Sequence, residues 1–562
     1  MVKNRNYKWI QLFFFISLSL LFVVPLQKNG VIYFGDDMNY HVNRIIELIK
    51  NFKHGNLMPY IYTYTFDKVG YPLGIFYPWI TITPFAFFSI LLGNVNGIYA
   101  GFAFYTFLTL AFTYICVRKM NKSSFQANVV SIMYTFCAYR TIDAFSRFAL
   151  GEFLGMVFLP LCMYGIYAVM FGNKKDWPFL AFGVSFTLLS HVLSTFIIAL
   201  TLLIIFILCI WFVKDKADCL LQIIKAVIIA ISSSAIFLFP FVEQELFQKY
   251  NPPSPYDVSQ TANYMDEIVM SSLRNSVLRY APGRPYGIGI VLLLVIVFGL
   301  LLFKKFDLTS KIIYLLGVFS FICASSIFPW ILFKHTPVSL IQFPIRILMI
   351  TSILLSYSGG DVAEIVYREN AFSTTSKNFF FKAAVLLLII MPWFSSINQL
   401  KSDPLSNSTT NRVYTGSMKE YKVDSAWYLD QYTPKKSMPY FKNLKNHIAL
   451  INGRKKKIHR ITSQPNEQIY NIRSLKSGDY IDLPIALYKN LHVYQNGKEI
   501  KLMTGKRNTI TFKAVSGGKI VVKYVPSLID KLGVLLSFVT WLVALIYVAY
   551  VYFKKKNLEA QF

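Results

Sequence analysis

The sequence predicts a polytopic α-helical membrane protein that carries a basic, strand-rich domain outside the membrane near its C-terminus. Hydrophobic residues make up 55% of the 562 positions, and charged residues make up only 15%. Soluble proteins usually contain about a quarter charged residues, so this composition favours membrane spans. Seven apolar runs approach or exceed the length that crosses about 30 Å of hydrocarbon. They are Trp9–Leu26, Phe153–Phe171, Phe196–Val213, Ile223–Phe241, Gly289–Phe303, Phe379–Phe394 and Leu532–Phe553.

Short clusters of Lys and Arg set the predicted orientation, because such clusters mark cytoplasmic loops. They occur at 3–8, 118–122, 174–175, 214–216, 304–305, 368–377 and 554–556. With the N-terminus inside, every cluster falls on the cytoplasmic side, and the C-terminus is cytoplasmic too. We therefore predict a multi-pass protein of the cell membrane. Its predicted exterior segments are 28–77, 139–152, a turn near His191, 242–285, 329–346 and 398–526.

One stretch does not fit a simple alternation of sides. Three apolar segments, 78–93, 97–117 and 123–138, lie between two loops that are predicted on the same side, and three crossings cannot join them. Pro84 interrupts Trp79–Gly93, so we predict a re-entrant or interfacial segment there. A segment 79–93 that fully spans the membrane is the alternative. The expected total is about twelve spans.

Residues 398–526 differ in character from the rest of the chain. Short alternating apolar runs lie between turn pairs such as Asn452-Gly453 and Asn496-Gly497, and this pattern predicts a small antiparallel β-sandwich. With 23 Lys and Arg against 8 Asp and Glu, the segment supplies +15 of the formal net charge of +29. Such a surface suits anionic lipid headgroups or a polyanionic polymer, with ordinary solubility as the alternative. Nucleic acid is not expected there.

We predict that the chain has three parts. Residues 1–397 form the polytopic membrane domain, 398–526 form the extracytoplasmic β-rich domain, and 527–562 form the final span with a basic tail.

The first predicted exterior loop contains a constellation that could carry chemistry. Asp37, His41 and Arg44 are spaced by four and three residues, which places them on one face of a helix. A carboxylate held beside these two groups could act as a general base while the cation holds a phosphate. The alternative is a solvated helix start capped by Asp36.

Further ionisable residues stand at the predicted outer boundary of the membrane. Glu152 opens a span, where an acid is costly and often functional, although an ion pair with Arg147 would also explain it. Arg346 enters a span from the exterior side and could bind a lipid-linked phosphate or reach back to the interface. His191 is a weaker candidate, because a lone His is more often packed than catalytic, and Arg284 is a weaker candidate of the same kind as Arg346.

Together these motifs resemble the GT-C superfamily of membrane glycosyltransferases. The likeness is greatest to the bacterial membrane proteins related by name to 6-pyruvoyl-tetrahydropterin synthase and to the neighbouring group implicated in sugar decoration of teichoic acids. The residues that carry it are Asp37-x-x-x-His41-x-x-Arg44, Gly70-Tyr71-Pro72 with Tyr77-Pro78, Arg147-x-Ala149-x-Gly151-Glu152, Ser190-His191, Gln342-Phe343-Pro344-x-Arg346 and the region from Tyr480 to Gly497.

The resemblance implies a fold, an activity and roles for individual residues. The expected activity is transfer of a sugar, with inversion, from a polyprenyl-phosphate donor to a teichoic acid, polysaccharide or glycolipid on the outer membrane face. Asp37 would be the base with Asp36 as its neighbour, Glu152 the second acid, and Arg346 the holder of the donor phosphate. In some relatives the second acid helps to bind a divalent cation, so Asp37 and Glu152 are the candidate ligands for Mg²⁺ or Mn²⁺. His41, Arg44, Arg147, His191 and Arg284 are the further candidates for substrate binding.

Two other classes of function stay open at the level of sequence. A flippase or exporter of lipid-linked glycans would show charges inside several spans and an internal repeat. A non-enzymatic envelope scaffold would use the basic domain to hold an anionic polymer and would tolerate changes at Asp37 and Glu152.

Overall fold

The computed structural model describes residues 2–253, 256–369, 375–404, 414–416 and 430–560. Parts of two predicted features lie outside these residues: 370–374 of the basic segment 368–377, and 405–413 with 417–429 of the predicted exterior domain. The described chain is mostly helical, with antiparallel strands toward its C-terminus.

The chain forms two compact units. The first contains Met1–His41, Thr81–Ile224 and Pro255–Lys422, and the second contains Val42–Ile80, Lys225–Ser254 and Val423–Phe562. The division at 397 and 526 that the sequence suggested stays a prediction.

The α-helices of the described chain vary widely in length. They are Val2–Gln27, Met38–Lys53, Leu73–Phe76, Thr83–Leu92, Asn94–Lys119, Ser124–Phe136, Ala138–Thr141, Leu150–Met170, Trp177–Leu188, Val192–Cys209, Lys216–Ser233, Ala235–Phe247, Met265–Leu273, Ile290–Leu301, Leu308–Cys323, Leu348–Glu369, Thr375–Ser402, Phe441–Lys445 and Leu528–Ala560.

Seven helical stretches of the described residues are long and apolar enough to cross a membrane, and an eighth results if a pair bent by 77° counts as one. The bent pair is Lys216–Ser233 with Ala235–Phe247, so the predicted run Ile223–Phe241 is helical but broken at Ser234. The predicted run Gly289–Phe303 yields a helix of only 12 residues, about 18 Å long. The seven stretches are Lys8–Gln27, Asn94–Lys119, Leu150–Met170, Val192–Phe212, Pro344–Glu369, Ser376–Ser402 and Leu528–Val551.

The segment predicted to be re-entrant forms the first arm of a tight helical hairpin. Its helix, Thr83–Leu92, has 10 residues and is therefore about 15 Å long, half the thickness of a hydrocarbon core. Gly93, with φ of 80°, reverses the chain into Asn94–Lys119. The arms touch backbone to backbone, since a Cβ on Gly97 would lie 2.2 Å from the Cα of Ser89.

Among the described residues of the second unit, nine strands form two antiparallel sheets, as the turn pairs predicted. The strands β1 to β9 are Ile448–Ile451, Arg454–Lys457, Ile461–Gln464, Glu467–Ile472, Tyr480–Ala486, Leu491–Gln495, Lys498–Ile500, Thr509–Lys513 and Gly518–Tyr524. One sheet has the order β2-β1-β5-β8 and the other β3-β4-β9-β6-β7. Asn452-Gly453 joins β1 to β2, and Asn496-Gly497 joins β6 to β7, both with positive φ. Buried residues of both sheets share one core, so the two sheets pack against one another, and we call this pair of sheets the sandwich.

A buried glutamate fixes the segment that precedes this sandwich in the second unit. The Glu47 carboxylate accepts hydrogen bonds from the backbone N–H groups of Thr63 and Thr65 at 2.8 and 2.9 Å, and from the Thr65 hydroxyl at 2.7 Å. The Thr63 hydroxyl in turn donates to the carbonyl of Gln464 in β3 at 2.7 Å. Glu47 therefore has a structural role.

Candidate active site in the first unit

Two backbone hydrogen bonds bring Asp36 and Asp37 next to Ser146 and Arg147. The N–H of Asp36 donates to the Ser146 carbonyl at 3.3 Å, and that of Asp37 donates to the Arg147 carbonyl at 2.8 Å. This approach requires Gly35, because a Cβ there would lie 2.7 Å from the Cβ of Phe148 and 3.0 Å from the carbonyl carbon of Arg147. Segments far apart in sequence are thereby placed side by side.

The segment beside this pairing has unusual backbone geometry. Ile142–Ser146 forms a single π-helical turn, a feature that is frequent at functional sites. Phe148, directly after Arg147, adopts a left-handed φ of 52°. Non-glycine residues hold this conformation at a cost of about 1–3 kcal/mol and only where surrounding contacts enforce it. The turn aims Asp143 and Arg147 at the start of the helix Leu150–Met170.

A buried network of charges surrounds Glu152. Nη1 of Arg147 donates to Glu152 Oε2 at 3.0 Å and to Asp143 Oδ1 at 2.6 Å. The Tyr139 hydroxyl donates to Glu152 Oε1 at 2.5 Å. The ion pair between Glu152 and Arg147 that the sequence allowed is thus present. It is one part of a larger network, since Arg346 Nε lies 3.5 Å from Glu152 Oε2.

Burial and neighbouring charges together set the protonation of Asp143 and Arg147, which lie outside the apolar helices. Burial, and then repulsion from Glu152, raises the pKa of Asp143 well above its usual range. Burial opposes the charge of Arg147, but attraction to Glu152 and Asp143 outweighs it and raises the pKa of this guanidinium. Oδ2 of Asp143 is buried and has no hydrogen-bond partner among the described residues. A proton on Asp143 is therefore favoured.

Arg346 keeps part of its guanidinium available. Its Nη1 donates to the Ile341 carbonyl at 3.0 Å and to Gln342 Oε1 at 2.7 Å, and Gln342 holds a left-handed φ of 64° in that position. Within the described part of the chain, Nη2 of Arg346 and Nη2 of Arg147 make no hydrogen bond. Two guanidinium groups near Glu152 thus retain N–H donors for an anionic ligand.

Asp36 is held by residues that the sequence did not single out. Arg279 donates to Asp36 Oδ1 through Nη2 at 2.7 Å and Nε at 3.0 Å. The Tyr286 hydroxyl donates to Oδ2 at 2.7 Å. Since both oxygens of Asp36 are engaged, this residue positions the loop and is not available as a base.

Asp37 is the acid with an unoccupied carboxylate. No described residue donates a hydrogen bond to its side chain, which is partly exposed. Burial raises its pKa to about 6, while Arg147 and Arg346 act to lower it and Asp36 and Glu152 act to raise it further. These interactions place Asp37 beside the Glu152 network. A carboxylate with this pKa is ionised near neutral pH and still basic enough to accept a proton.

The other predicted residues have different surroundings. His41 is buried, and its ring makes an edge contact with the Tyr40 ring. Arg44 lies in the second unit, where it donates to the Pro78 carbonyl and stands 3.9 Å above the Tyr77 ring.

His191 begins the helix Val192–Cys209 and interacts electrostatically with Glu152. Its Nδ1 accepts from the Ser194 N–H at 3.3 Å. Arg284 donates to the Arg279 carbonyl at 2.8 Å, so it supports the loop that holds Asp36.

Sequence reasoning missed Tyr139, Asp143, Arg279 and Tyr286. Two of them carried a usable signal, because Tyr139 and Asp143 precede Arg147 by eight and four residues, and four residues is helical spacing. Arg279 and Tyr286 carried none, since they reach Asp36 across 243 and 250 residues of sequence.

The residues present do not fit the divalent cation that the resemblance implies. Both oxygens of Glu152 are taken by Tyr139 and Arg147, with a second guanidinium 3.5 Å away. Among the described residues, no group of three or more His, Cys, Asp or Glu side chains is placed to hold a metal ion.

No protein-family model matches this sequence, and no curated protein matches it either. The chemistry of the site itself therefore carries the argument for function.

Gly35→Ala should test the close backbone approach. The added methyl group would push the Asp36–Asp37 segment away from Arg147, and overpacking of this kind usually costs about 1–3 kcal/mol. We expect the proposed transfer activity, described below, to fall about tenfold or more. Gly30→Ala is the control: it meets no atom within 4 Å, although its φ of 68° carries a penalty of its own. Equal activity in the two variants would contradict the positioning role.

Proposed function

We propose that this protein is a membrane glycosyltransferase of the GT-C type. It transfers a sugar from a polyprenyl-phosphate donor to a cell-envelope acceptor on the outer membrane face. One observation carries the proposal: the unoccupied carboxylate of Asp37 interacts with Arg147 and Arg346, two guanidinium groups that retain unused N–H donors. A base beside two anion-binding groups is the arrangement that transfer from a phosphate-linked donor requires.

Membrane insertion is supported by the long apolar helices. The final helical stretch, Leu528–Val551, is strongly apolar and little of it is buried within the protein, so lipid would cover the remainder. The half-length helix Thr83–Leu92 supports a re-entrant segment in place of a span. In the proposed orientation both termini are cytoplasmic and the sandwich is extracytoplasmic.

The arginines would bind the donor through its phosphate. Guanidinium groups match phosphate oxygens with paired N–H donors, and they stay charged even when buried. Glu152 holds Arg147 and approaches Arg346, so its role is to orient both cations. As the bond to the sugar breaks, the charge on the departing phosphate rises, and these cations stabilise it at that moment.

The proposed reaction is a single displacement. Asp37 accepts the proton of the acceptor hydroxyl, and the hydroxyl oxygen forms a bond to the anomeric carbon from the face opposite the phosphate. The bond between that carbon and the phosphate oxygen breaks, and its electron pair leaves with polyprenyl phosphate. The anomeric configuration inverts.

The proposal is tested by reconstituting the purified protein in liposomes with a radiolabelled polyprenyl-phosphate sugar and extracted envelope polymer. We expect label to move from the lipid to the polymer, and we expect the same sugar to be missing from envelope glycans of a deletion strain by mass spectrometry. If the label instead crosses the bilayer while still attached to the lipid, the protein is a transporter and the proposal is wrong.

The pH profile of kcat/KM should report the base. Only ionised Asp37 accepts a proton, so below its pKa of about 6 the rate should fall about tenfold per pH unit, and above it the rate should level off. Transfer is measured at constant ionic strength from pH 4.5 to 8. A profile with no inflection between pH 5 and 7 would remove Asp37 from this role.

A further inference from the structure

The most concentrated positive charge of the sandwich lies on one edge strand. β2 reads Arg454-Lys455-Lys456-Lys457, and all four residues are exposed. Among the strands that the structure describes, it pairs with β1 alone and ends the four-stranded sheet. An edge strand leaves one row of backbone N–H and C=O groups open to other molecules.

No acid of the described sandwich neutralises this strand across the sheet. The residues opposite Lys455, Lys456 and Lys457 are Leu450, Ala449 and Ile448, all apolar. Ala449 is buried, so Lys456 lies on the core face, while Lys455 and Lys457 share the opposite face about 7 Å apart. None of the four forms a salt bridge with a described residue.

Further cations lie beside the strand. Nζ of Lys456 donates to the Ser474 hydroxyl at 2.7 Å, which places the segment of Arg473 and Lys476 next to β2. The acid near this segment is Asp479, whose Oδ2 accepts from the Lys476 N–H at 2.7 Å and whose Oδ1 accepts from Asn452 Nδ2 at 2.8 Å. Its carboxylate interacts with the charge of Lys476, so it offsets one cation of the group and leaves an excess of positive charge.

The charge exceeds what the fold requires. A single Lys is enough to block pairing between edge strands, whereas neighbouring like charges repel one another and destabilise the strand. A series of four cations along an extended strand is instead complementary to a linear chain of negative charges. Because β2 carries no apolar side chain, it lacks the groups that insert into the interface of a bilayer.

We propose that β2, with Arg473 and Lys476, is a binding strip for a linear polyanion with a phosphate backbone. This inference rests on the proposed function, which makes the polymer an anionic acceptor of the cell envelope. The role of β2 would be to hold that acceptor through the negative charges of the polymer backbone. Binding itself needs neither the donor nor Asp37, so it can be measured apart from transfer.

The test uses the full-length protein in nanodiscs of neutral phospholipid, with inorganic polyphosphate as the probe. Replacing Arg454, Lys455, Lys456 and Lys457 by Gln should weaken binding at least tenfold at moderate salt. The slope of log affinity against log salt should become shallower by about 3, which is the change that four lost phosphate contacts give for single-stranded nucleic acids.

The matched control removes four exposed cations elsewhere in the second unit, Lys435, Lys436, Lys498 and Lys501, and so changes the net charge equally. We expect less than a twofold loss in this control. Equal weakening in both charge variants, or none in either, would overturn the proposal. The proposal would also be overturned if the protein bound anionic vesicles through β2 and had no affinity for polyphosphate. The partner of β2 would then be a membrane surface. If the strip binds polyphosphate while the wild-type protein transfers no sugar, only the proposed function fails.

Discussion

Asp37→Asn should lower kcat for sugar transfer by about a hundredfold or more while the protein stays folded. Asn has nearly the same shape as Asp but cannot accept the hydroxyl proton, and general base catalysis usually contributes about 10²–10⁴-fold. The substrate phosphate would still meet Arg147 and Arg346, so KM should change little. The measurement is steady-state transfer in liposomes, fitted for kcat and KM separately.

The same substitution should preserve or raise thermal stability. The folded protein raises the pKa of Asp37 to about 6, above the value near 4 expected in an unfolded chain. Between these two pH values the folded state binds more protons than the unfolded state, so stability is lost as pH rises through about 6. Asn carries no charge and escapes that penalty. We therefore expect the Tm of the variant to equal or exceed the wild-type Tm at pH 7.5 and to fall no more than wild type as pH rises.

Two controls separate catalysis from general damage. Asp266→Asn removes an exposed acid from the first turn of the helix Met265–Leu273 and should leave kcat within about twofold of wild type. Asp37→Glu keeps the carboxylate but displaces it by one methylene, and it should retain more activity than Asp37→Asn. Full activity in Asp37→Asn would show that another group takes the proton.

Local sequence patterns predicted the parts of the structure that depend on neighbouring residues. The apolar runs predicted long helices because about 20 residues are needed to cross hydrocarbon, and the Asn-Gly pairs predicted hairpins because Asn and Gly tolerate positive φ. The break at Ser234 was missed although the run Ile223–Phe241 carries a signal for it: Ser232, Ser233 and Ser234 stand together within the run, and small residues of this kind are among the known causes of helix kinks. The helix Ile290–Leu301 has 12 residues, fewer than the predicted run Gly289–Phe303.

The site was predictable to the extent that its residues stand at unusual places in the sequence. Glu152 and Arg346 were singled out because charges at the ends of apolar runs are costly, and Asp37 because of its spacing from His41 and Arg44. The structure places Asp37, Glu152 and Arg346 in one electrostatic network. The distribution of roles was not predictable. Asp36 differs from Asp37 only by one position, yet contacts with the distant Arg279 engage one acid and leave the other unoccupied.

The largest effect on stability should come from Arg147→Met. Arg147 is nearly buried and bonds both Asp143 and Glu152, so its loss leaves two buried carboxyl groups without their shared cation. Removing one partner of a buried ion pair typically costs about 3–5 kcal/mol. Denaturant unfolding of the protein in detergent measures the change. Arg368→Met is the control, because Arg368 forms an exposed pair with Glu364, and such pairs contribute about 0.3–0.5 kcal/mol.

A second substitution should recover part of this loss and identify its cause. If the penalty arises from the two buried carboxyl groups that lose Arg147, then Asp143→Asn in the Arg147→Met background replaces one of them by a neutral amide, and the double variant should be more stable than the single one by about 1–3 kcal/mol. The penalty should also shrink at low pH. Burial raises the pKa of Asp143 and so already favours its protonated form, and as pH falls a carboxyl that is still ionised without Arg147 takes up a proton and no longer needs the cation. The penalty could instead be equal at pH 5 and pH 8 and unchanged by Asp143→Asn. That result would show that Arg147 stabilises the protein through packing and that the charge network does not hold the site together.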